Sequence, residues 1–476
     1  MTINAEVPVA ATGGGPVAAE QGVGGSTSAT DLVLPLVAVG GVGILAGYGY
    51  VRRTRRARTR TTPGVVSPHP PVTPLPVLER QAGAALVQAD DCVRTSRDEL
   101  SFAEARFGAT AVEPFVRALR EAERELSAAF AIRLRYDAGV PEEEAARRHA
   151  LAGIVGRCAE AGRRLDAEAP GFDQLRALER EMAEAQGVAE ERFRELAGRT
   201  GTVEATLAEL TTRYPATATA SVVGYGEQAK DRLVFATTHL NQCRQAADLG
   251  ETGRAIRDLR AAEGAISQAD TFLNGIERLA DALTAAADLI PAALTGAEAE
   301  TARAAAQADE LRSHLTHTDT VLAAVRGELT AGEYDPLDAL RRIVRAVRAL
   351  GGGRDGVLGA AARLTARHDV AATDDFVTTH RGAVAADART LLAEAQRLLG
   401  TDPGAADEPA LKSRELAEQD VRVHGNPHAG TTGLMSGTSG AVLGGILLEE
   451  TPDGGPPLSF GGPETRARRA PHLRTD

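Results

Sequence analysis

The sequence has 476 residues, with 65 Asp and Glu against 53 Lys and Arg and a formal charge of −12. An acidic chain repels the phosphate backbone, which excludes sequence-independent nucleic-acid binding by the chain as a whole. Aromatic residues are 3% and Trp is absent, while Ala, Leu, Glu and Arg are abundant, which favours helices over sandwiches and barrels. Cys92, Cys158 and Cys243 are odd in number and far apart, so they offer no disulfide framework or metal knuckle and indicate a reducing compartment.

The first predicted element is a transmembrane helix over Leu32–Val51. These 20 residues carry no charge and would span about 30 Å as a helix, which is the hydrocarbon thickness of a bilayer. A cleaved signal peptide would need positive charge before the apolar stretch, but the charge lies after it. A buried core helix would have to accommodate the adjoining arginines. Within the helix, Gly43 and Gly47 form a GxxxG pair that is a candidate for close helix packing.

An arginine cluster follows the apolar stretch. It comprises Arg52, Arg53, Arg55, Arg56, Arg58 and Arg60. The residues before the stretch contain no Lys or Arg, so the positive-inside rule predicts a plasma-membrane protein with its N-terminus outside and its remaining chain in the cytoplasm. Membrane lipid is therefore an expected partner, because the arginines would lie beside anionic head groups.

The rest of the chain is predicted to comprise segments of distinct composition. We expect a short disordered extracytoplasmic tail over 1–31, the arginine flank and a proline-rich linker over 52–77, and a helical region over 78–424. The glycine-rich residues 425–476 are predicted to be disordered. At their end, Arg466, Arg468, Arg469 and Arg474 form a basic patch that we interpret as solvated.

Apolar stripes in the helical region repeat at spacings of three and four, the pattern of an antiparallel bundle or coiled coil. The fold class is therefore predicted as all-α, and self-association or a protein partner through the helices is expected. The stripes are Phe115, Leu119, Ala122, Leu126 and Ala129; Leu233, Ala236, Leu240, Cys243 and Ala247; and Leu337, Leu340, Ile343, Val344, Val347 and Leu350.

Helix start and stop signals divide this region into successive hairpins. Asp335 and Pro336 are predicted as an N-cap and first helical residue, and Gly250 is predicted to end a helix that begins near Ala216. Further boundaries are predicted at Pro141 with Glu142–Glu144, at Glu251, at Pro291 and at Gly351–Gly353.

Motifs for catalysis are not found in the sequence. It contains neither a Walker A loop nor a GxSxG elbow. His314 and His317 are three residues apart on a predicted helix, but a metal needs further ligands, so a solvated polar face is the favoured interpretation. His424 and His428 are interpreted as lying at a helix end. We expect no enzyme activity, no cofactor, no metal and no small-molecule substrate.

Several strings together resemble the cytoplasmic half of actinobacterial TPM-domain-containing membrane proteins. They are GEQAKDRLVFATTHL (226–240), YDPLDALRRI (334–343), DDFVTTHRGAVAADARTLLAEAQRLL (374–399), LAEQDVRVHGNP (416–427) and GAVLGGILL (440–448). The resemblance implies an extracytoplasmic TPM domain, one transmembrane helix and a long helical cytoplasmic region. The TPM domain would precede Leu32, where 31 residues stand, so we expect a truncated member.

The functional hypothesis is a single-pass membrane protein with a cytoplasmic helical interaction or scaffold module. The alternative is a truncated transmembrane sensor or relay subunit of a TPM-domain protein, or an inactive remnant of one. The phosphatase activity proposed for some TPM domains is not carried over, because none of the quoted strings belongs to that domain.

Overall fold

Helices make up nearly all of the part of the chain that the computed structural model describes, which is residues 73–306, 311–424 and 458–469. No strand occurs in these ranges, which confirms the all-α class. The predicted transmembrane helix, Gly43, Gly47, the arginine cluster and most of the linker and tail lie outside the described residues. The described helices belong to one compact unit that begins at Thr73.

The first three helices pack on one another around a shared core. They are α1 (Leu75–Phe107), α2 (Ala109–Ala138) and α3 (Glu144–Arg176). The predicted stripe from Phe115 to Ala129 is buried here, and it packs against Leu151, Ile154 and Leu165 of α3. Apolar spacing of three and four thus selects the buried face correctly in this group.

The largest core forms around one long central helix. Its helices are α4 (Met182–Arg213), α5 (Tyr225–Asp248), α6 (Thr252–Ala305), α7 (Arg312–Ala331) and α8 (Pro336–Ala349). Helix α6 packs against α4, α5, α7 and α8, so it is the centre of this group. At the start of α8, the Asp335 carboxylate accepts a hydrogen bond from the Asp338 backbone N–H at 3.0 Å, which confirms the predicted cap.

The third group has its own core and also contacts the first group. It consists of α9 (Gly356–Thr379), α10 (Ala386–Thr401) and α11 (Pro403–Val423). Helix α9 packs on α6, and α10 packs on α1 and α2. The third group is therefore joined to both of the other cores.

Three predicted boundaries are wrong. The helical region begins at Leu75 rather than residue 78, because Pro76 lies in the first turn, where a missing N–H costs nothing. Pro291 begins no helix but lies inside α6, on its exposed side. The helix that ends before Gly250 begins at Tyr225, and only short helical turns occupy Ala216–Val222.

Two further corrections concern burial and order. Ala247 is exposed, and the buried stripe of α5 ends at Ala246 instead. The predicted disordered tail is wrong over residues 458–469, because Leu458 and Phe460 are buried and Pro463–Arg469 forms helix α12. Composition did not predict this order because the apolar residues that stabilise it belong to other helices.

Candidate functional site

A groove on the first helical group holds the C-terminal segment Leu458–Arg469. The segment runs without helix from Leu458 to Gly462 and then forms α12, which packs on α1 and α3. Thirty-three residues, 425–457, separate the segment along the sequence from the rest of the described chain. The body of the protein thus binds a piece of chain in the manner of a bound peptide.

Phe460 is the apolar anchor of the segment. Its side chain is 0% exposed, and its ring stacks on Phe172 of α3 with 4.3 Å between ring centroids. Phe115 of α2 meets both rings edge-on, at 5.8 Å from Phe460 and 5.2 Å from Phe172. Burial of a phenylalanine contributes about 2–3 kcal/mol, so this contact supplies much of the affinity of the groove for the segment.

Glycines let the segment approach the wall of the groove at backbone distance. A Cβ on Gly462 would lie 2.2 Å from the Gly162 carbonyl oxygen, and a Cβ on Gly162 would lie 2.7 Å from Pro463 Cδ. Gly461 has φ +133°, which side chains disfavour. The string Phe-Gly-Gly-Pro therefore fits this groove because of its lack of side chains as well as its aromatic ring.

Hydrogen bonds to the segment are directed mostly at its backbone. The N–H of Gly461 donates to Ser96 Oγ at 3.1 Å, and the N–H of Leu458 donates to the Arg260 carbonyl at 3.2 Å. The two oxygens of Asp166 accept from the backbone N–H groups of Glu464 (3.3 Å) and Thr465 (2.9 Å). An α3 carboxylate thus satisfies donors in the first turn of α12.

Two arginines of the basic patch that was predicted to be solvated contact helices α1 and α3 instead. Arg466 donates to the Asp91 carbonyl at 2.9 Å, and Arg469 contacts Asp173 Oδ1 at 2.6 Å. Arg469 also donates to the Phe460 carbonyl at 2.9 Å. This hydrogen bond joins the end of α12 to the non-helical part of the segment. The interpretation of these two side chains as a solvated end was wrong, and Arg474 lies outside the described residues.

A buried network of charges lies directly beneath the segment. Arg176 of α3 donates to both oxygens of Glu263 in α6, at 2.8 and 3.0 Å, and Arg260 Nε lies 3.2 Å from Glu99 Oε1 in α1. The other oxygen of Glu99 accepts the Phe460 backbone N–H. Buried charges are costly unless their bonds are satisfied, so the segment contributes a donor to a network that joins α1, α3 and α6.

The two carboxylates of this network differ in acidity. Burial raises the pKa of Glu99, but Arg260 and Arg176 outweigh it and hold the pKa below the usual value. Burial raises the pKa of Glu263 above its usual value, and Arg176 only partly offsets this. The carboxylate that receives the segment is thus the one whose pKa is lowered, and a charged acceptor strengthens the hydrogen bond from the Phe460 backbone N–H.

A second candidate is a cavity of about 280 Å³ among α5, α6 and α9. Its polar side contains His368 and the ion pair of Arg278 with Asp375. Burial, together with Arg341 and Arg278, lowers the pKa of His368 to about 4, and burial raises the pKa of Asp375 to about 6. The cavity offers room for a small molecule, whereas the groove already holds a ligand segment, and the groove is the stronger candidate.

His314 and His317 lie on the exposed face of α7. Within 73–306, 311–424 and 458–469, no three His, Cys, Asp or Glu side chains are grouped so that they could hold a metal ion. Glu144 opens α3, and α11 ends at Val423 just before His424. None of these residues joins the groove.

Sequence reasoning missed the residues of the groove and its segment. One signal was present in the tail, where Pro463 and Glu464 precede a short basic run, the pattern of a helix start and end. Phe460 is an isolated aromatic residue in glycine-rich sequence, which also marks an anchor. The groove side had no such signal, because Gly162, Asp166 and Glu99 look like ordinary helix positions.

One helix of the described ranges, α6, is long and apolar enough to cross a membrane. This is weak support for membrane association, since a core helix satisfies the same criterion. Phe272, Leu273 and Ile276 of α6 are fully buried among the neighbouring helices. Core packing is a sufficient explanation of the hydropathy of α6.

The fold and groove define an all-helical protein that binds its own C-terminal segment. The chain is similar to two curated proteins of Mycobacterium tuberculosis, UPF0603 protein MT2410 of strain CDC 1551 and UPF0603 protein Rv2345 of strain H37Rv. Each is 29% identical over 436 residues, which cover 82% of this chain and 65% of the relative. The chain thus spans just under two thirds of their length. No family model and no solved structure matches it.

Proposed function

We propose that this protein is a single-pass membrane protein whose cytoplasmic helical body is an interaction or scaffold module. The observation that carries the interaction role is the occupied groove, where Phe460 is buried and five backbone N–H groups of the segment are bound. A surface that recognises a peptide backbone and one aromatic side chain is a means of holding protein partners.

The membrane part of the proposal rests on the uncharged stretch Leu32–Val51 and the arginines that follow it. They support an N-terminus outside, a cytoplasmic helical body and lipid as a partner, with Gly43 and Gly47 as a helix-packing pair. We also propose that successive helices run antiparallel, which the short connections at Gly108 and at residues 249–251 favour.

The proposed kinship is with actinobacterial TPM-domain membrane proteins, and the five strings named above support it. A sensor or relay role is the second candidate function. The observation that favours it is α6, which packs on helices of all three groups and would transmit a displacement among them.

Peptide binding tests the interaction role. The chain ended after Pro457 should bind a labelled peptide of Leu458–Arg469 saturably, measured by fluorescence anisotropy in detergent. The same peptide with Phe460→Ala should bind at least about tenfold more weakly, because the ring supplies about 2–3 kcal/mol of apolar burial. Equal affinity of the two peptides, or no binding, would remove the observation on which this role rests.

Cysteine labelling tests the topology. The three native thiols should react little with the labelling reagent. They are buried, and burial raises the pKa of Cys92 and Cys243 to about 11 and that of Cys158 to about 12. In intact cells, an impermeant maleimide should label Ala19→Cys but label the exposed Glu143→Cys only after lysis. Reversed labelling, or recovery of the chain in the supernatant without detergent, would contradict the membrane proposal.

A further inference from the structure

The segment Leu458–Arg469 and its groove are two complementary halves that every copy of the chain carries. Their contacts join residues far apart in sequence, as in the pairs Glu99 with Phe460 and Asp166 with Thr465. None of these contacts depends on whether the segment comes from the same copy. We propose that Leu458–Arg469 also docks into the groove of a second copy, so that reciprocal exchange of C-terminal segments joins two copies.

This inference rests on the proposed function, because it gives the scaffold role a definite partner. A second copy is the favoured occupant because its sequence is the one seen to fit, from the ring of Phe460 to the close approach of Gly462 to Gly162. Reciprocal exchange gives both copies the same contacts, as a closed two-fold dimer requires.

The length of the intervening chain permits exchange. Residues 425–457 number 33 and can span at most about 110 Å, whereas the 54-residue helix α6 is about 80 Å long. A neighbouring groove is therefore within reach. If copies share one membrane, as proposed, their confinement raises the local concentration of neighbouring grooves that the segment can reach.

Charge also favours this partner. The groove places the carboxylates of Asp166 and Asp173 against the segment, whereas Glu99 beneath it is paired with Arg260. The segment carries three arginines, Arg466, Arg468 and Arg469, against one acidic residue, Glu464. Opposite charges on the two halves steer them together across the gap between copies.

Complementation of two defective variants tests the exchange. Gly162→Leu blocks the groove, since even a Cβ there would lie 2.7 Å from Pro463 Cδ. A chain ended after Pro457 has an open groove but no segment. Each should be monomeric in detergent by light scattering, whereas the full chain forms a dimer. An equal mixture of the two should regain a 1:1 heterodimer, because one intact segment then meets one intact groove.

The matched control is Gly156→Leu, on the same helix α3, where an added Cβ meets nothing within 4 Å, and it should leave the dimer intact. Gly162→Ala and Phe460→Ala are milder substitutions, and each should raise the dimer dissociation constant at least about tenfold with helicity unchanged by circular dichroism. A monomeric full chain, single variants that remain dimeric, or a mixture without heterodimer would each overturn the exchange. Membrane sedimentation of the same variants reports on the proposed function separately.

Discussion

Arg389 shows how one side chain fixes the position of a whole helix. It is 1% exposed, and its guanidinium donates to Asp90 at 2.6 Å and to Asp91 at 2.7 Å, both in α1. It also donates to the backbone carbonyls of Val384 and Arg381. Burial raises the pKa of Asp90, but Arg94 and Arg389 outweigh it and hold that pKa below its usual value, so the network stays ionised.

We therefore expect Arg389→Met to lower the free energy of unfolding by about 3–5 kcal/mol, because it leaves Asp90 buried without one of its cations. Arg389→Lys should recover only part of this, since an ammonium cannot bond two carboxylates and two carbonyls in one plane. The measurement is urea denaturation followed by circular dichroism. The control is Arg397→Lys, on the exposed face of α10, and a similar loss there would contradict the assignment.

His380 makes stability depend on pH. It is 4% exposed and stacks on Phe376, and burial lowers its pKa to about 4. Between pH 6.5 and about 4 the unfolded chain binds the proton that the folded chain does not, so stability is lost as the pH falls. Asp375, whose pKa burial raises to about 6, has the opposite sign, which is why wild-type stability alone cannot isolate the histidine.

The variant His380→Gln keeps polar atoms beside the Phe376 carbonyl but cannot titrate. Going from pH 7 to pH 5, it should lose about 2 kcal/mol less of its free energy of unfolding than the wild type does. Denaturant titrations at a series of pH values measure this difference. His149→Gln, at an exposed position, is the matched control substitution, and an unchanged slope in His380→Gln would show that the folded chain binds this proton as readily as the unfolded chain.

At the scale of elements, apolar spacing predicted faces well and boundaries less well. The stripes through Leu119, Leu240 and Ile343 are buried as expected, because a helix that packs must present one apolar side. Pro291 was misread because proline starts helices more often than it lies within them. Inside α6, it occupies an exposed position, where water can satisfy the carbonyl that loses its backbone partner.

The position of Pro291 inside α6, rather than at the start of a helix, can be tested by substitution. If α6 is continuous from Thr252 to Ala305, Pro291→Ala restores a helical hydrogen bond and should stabilise the protein by about 1–3 kcal/mol. If a helix instead began at Pro291, the substitution would bring no gain. Pro403→Ala, in the first turn of α11, is the matched control and should change stability by less than about 0.5 kcal/mol. Thermal and denaturant unfolding of both variants decide between the two.

At the scale of the whole molecule, three cores meet through polar contacts that periodicity does not encode. Arg94 of α1 reaches Asp374 of α9 at 2.8 Å, and Arg341 of α8 lies between Asp369 and Asp407 of the third group. Single helices could be predicted from local spacing because each needs only its own stripe. Their partners and the groove could not, because these depend on which helices meet in three dimensions.

Docking of the C-terminal segment should therefore matter most where it closes the first core. Ending the chain after Pro457 exposes Phe115 and Phe172 and removes a hydrogen bond from Glu99. We expect the free energy of unfolding to fall by about 2–4 kcal/mol. Amide exchange should quicken in the part of α3 near residues 158–176, whereas α11 keeps its protection. Hydrogen exchange read by mass spectrometry measures both regions at once.

The matched truncation ends the chain after Arg469, which retains every described contact of the segment. It should behave as the full chain in both stability and exchange, because Phe460, Asp166 and Arg469 keep their bonds. If the two truncations were equally unstable, the residues beyond Arg469 would be the important ones. If neither truncation changed the rate of amide exchange in α3, the segment would not stabilise the first core. The groove would then not be supported as the site of interaction.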